Sequence, residues 1–209
     1  MPYVISGNSI EDRTVVIDPP LEIYRAFYGP IARGETLTPE ILNLKPDPYY
    51  VQAPSRGNMP EIFGEELGVW TVKDCVKNII ERLEPGVHSF IPINLRTKDL
   101  NKDYGSFYLL CPGQAINAIY IEETDFIDGR GRDAFERSPT LSPFGIVTLC
   151  DDMIDGRHLW LAARGRFGKL TPFEGYLFCS DDLEKCIKQA DIEGWCFRRC
   201  ELKRRTQSQ

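Results

Sequence analysis

The residues best suited to chemistry in this chain lie in one run, Asp151-Asp152-Met153-Ile154-Asp155-Gly156-Arg157-His158. Carboxylates at this spacing, with an imidazole beside them, offer the oxygen and nitrogen donors that Mg²⁺ or Mn²⁺ accepts. A metal-dependent hydrolase built on Asp151–His158 is therefore one reading. A two-metal site needs a second carboxylate cluster, and none is evident. An Asp-rich turn closed by Asp155-Gly156 between two strands accounts for the same residues, and the sequence favours it. No metal or other cofactor is expected.

The remaining inventory narrows enzymatic chemistry further. His88 and His158 are the only histidines, so any nucleophile–imidazole pair must use one of them. There is no HExxH, no GxSxG, no Walker loop and no GxGxxG at a strand-to-helix turn. His88, in Gly86-Val87-His88-Ser89-Phe90, reads as a hydrogen-bonded structural histidine at the start of a strand. Cys179, Cys186, Cys196 and Cys200 are separated by six, nine and three residues. Zinc ligands usually pair across about two to four residues, which only Cys196 and Cys200 satisfy. Arg130-Gly131-Arg132 and Arg164-Gly165-Arg166 have the composition of nucleic-acid-binding loops, but in an acidic chain they read better as flexible surface turns.

The elements that must position these residues are legible in part. Residues 1–68 hold Pro19, Pro20, Pro30, Pro39, Pro46, Pro48, Pro54 and Pro60, and long helices do not form between such breaks. Thr14–Ile17 reads as a short strand ending at Asp18-Pro19, and Pro39 to Leu44 as one helical turn behind Thr38. The same stretch carries Leu21, Ile23, Tyr24, Phe27, Tyr28, Ile41 and Leu42, more large apolar groups than a disordered linker holds. An irregular arm, residues 1–68, packed on a core of residues 69–209 is expected.

The core opens on a helix predicted over Val72–Leu83. Thr71 and Asp74 form a capping-box pattern. Val72, Cys75, Val76, Ile79, Ile80 and Leu83 fall on one helical face, and Pro85-Gly86 stops the helix. Strand-like segments follow at Ser89–Leu95, Ser106–Cys111, Ala115–Glu122, Gly145–Leu149, His158–Ala163 and Gly175–Cys179. Cys111-Pro112-Gly113-Gln114 reads as a turn between two of them. Most of these strands have no helix between them, which favours an antiparallel sheet over a doubly wound parallel one. A second helix, Asp181 to Ala190 behind an Ser180 cap, buries Leu183, Cys186, Ile187 and Ala190. Gly194 turns the chain into a final strand, Trp195–Arg199, and the basic end from Leu202 is expected to fray. The fold class is α+β, mostly antiparallel sheet with a few helices.

Composition bounds the function. A chain of 209 residues with 42% apolar and 27% charged residues suits one domain, or one domain with an arm. No apolar run approaches the roughly 18 residues that span a bilayer. The start, MPYVISGNSIEDR, lacks the basic-then-apolar order of a signal peptide. Seven cysteines, an odd number, sit mostly in apolar runs; buried thiols in the reducing cytoplasm are the simpler reading. The net charge is −6, and five basic residues from Arg198 onward stand against Glu201 alone, leaving the body up to Phe197 at −10. Such a body repels phosphate, which argues against nucleic acid as a partner. It suits a basic protein surface.

Four stretches carry a resemblance: VWTVKDCVKNIIERLEPGVHSFIPINL, YGSFYLLCPGQAINAIYIEE, IDGRHLW and GYLFCSDDLEKCIKQADIEGWCFR. From about Gly68 to Glu201 the chain resembles the family-11 immunity proteins of bacterial polymorphic toxin systems, and Phe27-Tyr28-Gly29 in the arm fits loosely. Cys111-Pro112-Gly113 departs from the pattern at a turn. The resemblance implies an α+β protein without catalytic residues that binds and blocks a toxin domain encoded next door, nuclease toxins of the HNH type among them. It carries no binding residues over.

The partner-binding residues are therefore taken from charge. Glu122, Glu123 and Asp125 form one acidic group, and Asp151, Asp152 and Asp155 another. Both stand at ends of predicted strands, where loops gather. They are expected to meet a basic surface of the cognate toxin, with no nucleic acid or membrane involved. An apolar patch that binds while these carboxylates merely solvate loops is the competing account, and a non-toxin adaptor is a further function class.

Overall fold

The computed structural model describes residues 1–7, 24–35, 37–47, 49–51, 59–64, 69–97, 103–137, 140–166 and 169–204. In chain order the strands are β1 (Tyr3–Gly7), β2 (Tyr49–Val51), β3 (Ile62–Gly64), β4 (Trp70–Val72), β5 (Ser89–Thr97), β6 (Asp103–Cys111), β7 (Ala115–Ile116), β8 (Asp125–Phe126), β9 (Gly129–Arg130), β10 (Thr148–Cys150), β11 (Leu159–Arg166), β12 (Lys169–Cys179), β13 (Trp195–Arg199) and β14 (Glu201–Lys203). The α-helices are α1 (Gly29–Ala32), α2 (Pro39–Leu42), α3 (Asp74–Leu83), α4 (Arg132–Arg137), α5 (Asp151–Ile154) and α6 (Asp181–Gln189).

Period-two alternation sets the architecture, because successive strand side chains point to opposite faces. In β11, Leu159 and Leu161 enter one core while Trp160 and Ala162 enter another. In β12, Leu177 and Cys179 oppose Phe178 in the same way, and in β1, Ile5 opposes Val4. These strands belong to a sheet of order β13-β1-β12-β11-β7, buried on both faces. A second sheet, β2-β5-β6-β4-β3, repeats the device: Leu110 joins the core shared with the first sheet, while Phe107, Leu109 and Cys111 face a third core with Phe27, Tyr28 and Ile31. Neighbouring strands run antiparallel except β2 with β5, β7 with β11 and β10 with β14.

The helices fill the space between the sheets. Val76, Ile79 and Ile80 of α3 and Leu183 and Ile187 of α6 are buried in the middle core. Ser180 caps α6, its Oγ accepting from Leu183 N at 3.2 Å, and Thr38 caps α2 by accepting from Ile41 N. Trp70 and Trp195 meet edge to face at 5.8 Å between centroids and join the two sheets. The N-terminal residues are short and irregular in their elements, as their prolines dictate, yet β1 lies inside the first sheet, paired with β12 on one edge and β13 on the other.

Several expectations change. The first helix begins at Asp74, with Lys73 at the cap position and no side-chain cap bond. Thr71 lies fully buried in β4, in register with Phe63 and Leu109. The capping-box pattern is local, and strand pairing outcompetes it. The later start turns Cys75 to solvent and leaves Val76, Ile79 and Ile80 as the buried stripe.

Strand Ala115–Glu122 contracts to the two residues of β7, and the chain then curls into a 3₁₀ turn at Ile121–Glu123. Arg164–Arg166 form no loop but the end of β11, paired with Lys169–Thr171; Arg130 lies in β9 and Arg132 in α4. The tail does not fray at Leu202: β14 pairs in parallel with β10, so Glu201–Lys203 have a sheet partner. The expected strand Thr14–Ile17 lies outside the described residues.

Candidate protein-binding face

A densely bonded polar cluster gathers around Glu84 and His88. Glu84 ends α3, and its carboxylate is only 7% exposed. It accepts from Gln114 Nε2 at 2.8 Å, His158 N at 3.0 Å and Leu159 N at 2.8 Å, and its Oε2 lies 2.8 Å from His88 Nε2. His88 Nδ1 accepts from Gly113 N at 3.2 Å, so the ring donates to Glu84 from Nε2. Gly113 is required there, because a Cβ would stand 1.7 Å from the Val87 carbonyl oxygen. Burial by itself would raise the Glu84 carboxyl. The bonds from His88, the His158 N–H and Gln114 outweigh it and hold the group at about 2. Leu159 lies in β11, and His88, Gln114 and His158 stand immediately before β5, β7 and β11, so the cluster fastens the end of α3 to both sheets.

The Asp151–His158 run does not assemble a metal centre among the described residues: no group of three or more His, Cys, Asp or Glu side chains is placed to hold an ion. Asp151 begins α5 and stands 3.7 Å from Arg204 Nε. Asp152 and Asp155 are exposed. His158 Nδ1 lies 2.8 Å from Ser180 Oγ, in a cleft of about 250 Å³ lined by Asp151, Asp155, His158, Ser180 and Asp181. The same Ser180 oxygen is the α6 cap, which ties it to a structural task.

The other acidic group is largely met by cations of the chain itself. Arg132 Nη2 donates to Glu122 at 2.6 Å, Arg130 Nε to Asp125 Oδ1 at 2.6 Å, and Lys203 pairs with Glu123. Arg132 holds the Glu122 carboxyl below its ordinary range, and Arg130 with the Ile146 N–H does the same for Asp125. Lys203 also sits 4.9 Å from the Tyr120 ring centroid. Its register partner is Cys150, the residue before Asp151. The basic tail thus runs between the two acidic groups and partly neutralises both, which the separate charges of body and tail did not reveal.

Asp125 also does something the sequence did not suggest. Its Oδ2 accepts from Ile146 N at 2.8 Å, its backbone N donates to Ile146 O and its backbone O accepts from Ser142 N. Between those contacts lies the turn Ser142-Pro143-Phe144-Gly145, closed by Gly145 N donating to Ser142 O at 3.3 Å. Beneath it, Arg198 Nη1 donates to Ser142 O at 2.5 Å and Gly145 O at 2.7 Å. A Cβ on Gly145 would stand 2.4 Å from Asp125 Cβ.

The turn carries Phe144 at 97% exposure, with Ile127 at 59% and Ile146 at 39% on the same platform. A phenylalanine left in water forgoes about 1.5–3 kcal/mol of burial. The signal for the turn was present as Ser-Pro-Phe-Gly, with Pro at its second and Gly at its fourth position. Nothing in the string showed that the ring between them would face outward.

The sequence pattern of the immunity protein family (Imm11) matches residues 6–202. No curated protein matches the chain.

Proposed function

Because the chain belongs to the Imm11 immunity protein family, we propose that it neutralises a cognate bacterial toxin domain by direct protein–protein binding, without catalysis of its own. The observation that carries this reading is the extent of the match. Residues 6–202 take in the second five-stranded sheet whole, the first except Tyr3–Ile5 of β1, and the first two residues of β14, which supports reading nearly the whole described fold as the immunity unit. The toxin is encoded next to this chain, and a nuclease is its best candidate activity. A nuclease must present positive charge to hold phosphate, and an inhibitor gains by offering carboxylates to that surface.

The carboxylates at Glu122, Glu123, Asp125, Asp151, Asp152 and Asp155 supply this field. Exposed ion pairs such as Glu122–Arg132 are screened by water and contribute little, so a partner's cations can replace the chain's own at little cost. Asp152 and Asp155, without an ion pair among the described residues, are the carboxylates freest to act. The protein works in the cytoplasm, where its seven free thiols stay reduced, and it needs neither nucleic acid, membrane nor cofactor.

The test is co-expression in a bacterium of the toxin domain encoded next door, with and without this chain. Restored growth together with co-purification of an equimolar complex supports the reading. Growth arrest that this chain fails to relieve, with no complex recovered, overturns it.

A further inference from the structure

We infer that Phe144 is the anchor residue of the toxin-binding surface, entering an apolar pocket on the toxin domain that is bordered by basic side chains; this rests on the immunity reading above. Three observations carry it. The first is the exposure of the ring, 97%, in a chain whose other phenylalanines with recorded burial are buried or half-buried. Ile146, two residues on, and Ile127, whose N donates to Thr140 O four residues before Phe144, are exposed apolar residues too.

The second is how firmly the turn is held. The two Arg198 bonds, the Gly145 N–H to Ser142 O and the Asp125 carboxylate on Ile146 N–H fix both ends of a four-residue turn. A loop that merely connected two segments would need none of them. An aromatic residue presented in a fixed geometry loses little freedom on binding, which is what a hot-spot anchor requires.

The third is charge, and it selects the occupant. From Glu122 to the end of α4 at Arg137 the platform carries Glu122, Glu123, Asp125, Asp128, Asp133 and Glu136 against Arg130, Arg132 and Arg137, and α4 packs directly on β8 and β9. Lys203 offsets one more of these carboxylates, which leaves the rim with an excess of two negative charges. A second copy of this chain would bring the same negative rim against itself, so self-association through Phe144 is disfavoured. A pocket ringed by cations is favoured.

The experiment compares the wild-type chain with Phe144→Ala and Phe144→Leu in binding the co-encoded toxin domain, with the thermal melt of each free chain alongside. Expected are an unchanged melt, a loss of affinity of at least about thirtyfold for Phe144→Ala, expressed in a faster dissociation, and partial recovery in Phe144→Leu. Affinity of Phe144→Ala within about threefold of wild type overturns the anchor and leaves the immunity function standing. A wild-type chain that does not bind the toxin at all overturns both. A wild-type dimer in size-exclusion that Phe144→Ala converts to monomer, without change in toxin affinity, assigns the ring to self-association and overturns the toxin pocket.

Discussion

Glu84 Oε2 and His88 Nε2 lie 2.8 Å apart, and both residues are 7% exposed. They flank the Pro85-Gly86 stop of α3, so the end of a helix and the start of β5 are bonded across four residues. The same carboxylate takes the backbone N–H groups of His158 and Leu159, some 75 residues away. Removing the acceptor leaves buried donors without partners. Glu84→Ala is expected to destabilise the fold by about 3–5 kcal/mol, measured by urea denaturation, and Glu84→Gln by less. A change under about 1 kcal/mol in Glu84→Ala would show that the cluster is not structural.

The same group predicts an acid dependence. Its folded-state value of about 2 lies below the ordinary 4.5. A lowered carboxyl stabilises the fold fully above its unfolded value and loses that contribution as pH falls toward the folded value. Stability should therefore decline between pH 4.5 and 2 by an amount on the order of 3 kcal/mol from this residue. Glu84→Gln should flatten that part of the curve in pH-dependent denaturation relative to wild type.

The α3 stripe sets a contrast between neighbours. Ile80 is 1% exposed, and Ile80→Ala should cost about 2–4 kcal/mol. Cys75, on the same helix but facing solvent, should tolerate serine within about 0.5 kcal/mol. Lys73 is a poor surface control, since its Nζ bonds Met59 O and Glu61. Equal losses in the two variants would contradict the placement of the stripe.

Arg198 should govern the motion of the Phe144 turn. Arg198→Met keeps much of the side-chain stem and removes both bonds to Ser142 O and Gly145 O. Amide hydrogen exchange at Gly145 and Ile146 is expected to rise by about tenfold, with the sheet amides of β11 and β12 unchanged. Exchange that rises throughout the chain would mean that Arg198 supports the whole fold instead.

The two acidic groups should differ in steering. Asp152→Asn with Asp155→Asn removes carboxylates that have no ion pair among the described residues. Glu122→Gln with Glu123→Gln removes two that the chain already pairs. At low salt the first pair is expected to slow toxin association by roughly tenfold and the second by less, both effects shrinking as salt rises. Association that is independent of salt in the wild type would discard electrostatic steering and leave binding to the apolar turn.

The amino-acid string alone determined the features that act over a few residues. The Ser180 cap of α6, the part of the Val72–Leu83 stripe formed by Val76, Ile79 and Ile80, and the Cys111–Gln114 turn are written in spacings of one to four residues, and each appears in the fold. Only the tertiary structure decided what meets across the chain. Glu123 finds Lys203 eighty residues on, Glu84 finds Leu159, and Arg198 reaches under a turn more than fifty residues earlier. The same contacts settled where local signals lost, as at Thr71, whose cap pattern yielded to pairing with β3 and β6. Such partners are selected by burial and sheet register, which sum over the whole chain. A side chain's own neighbours in sequence therefore do not reveal whether its charge stays free or its ring stays exposed.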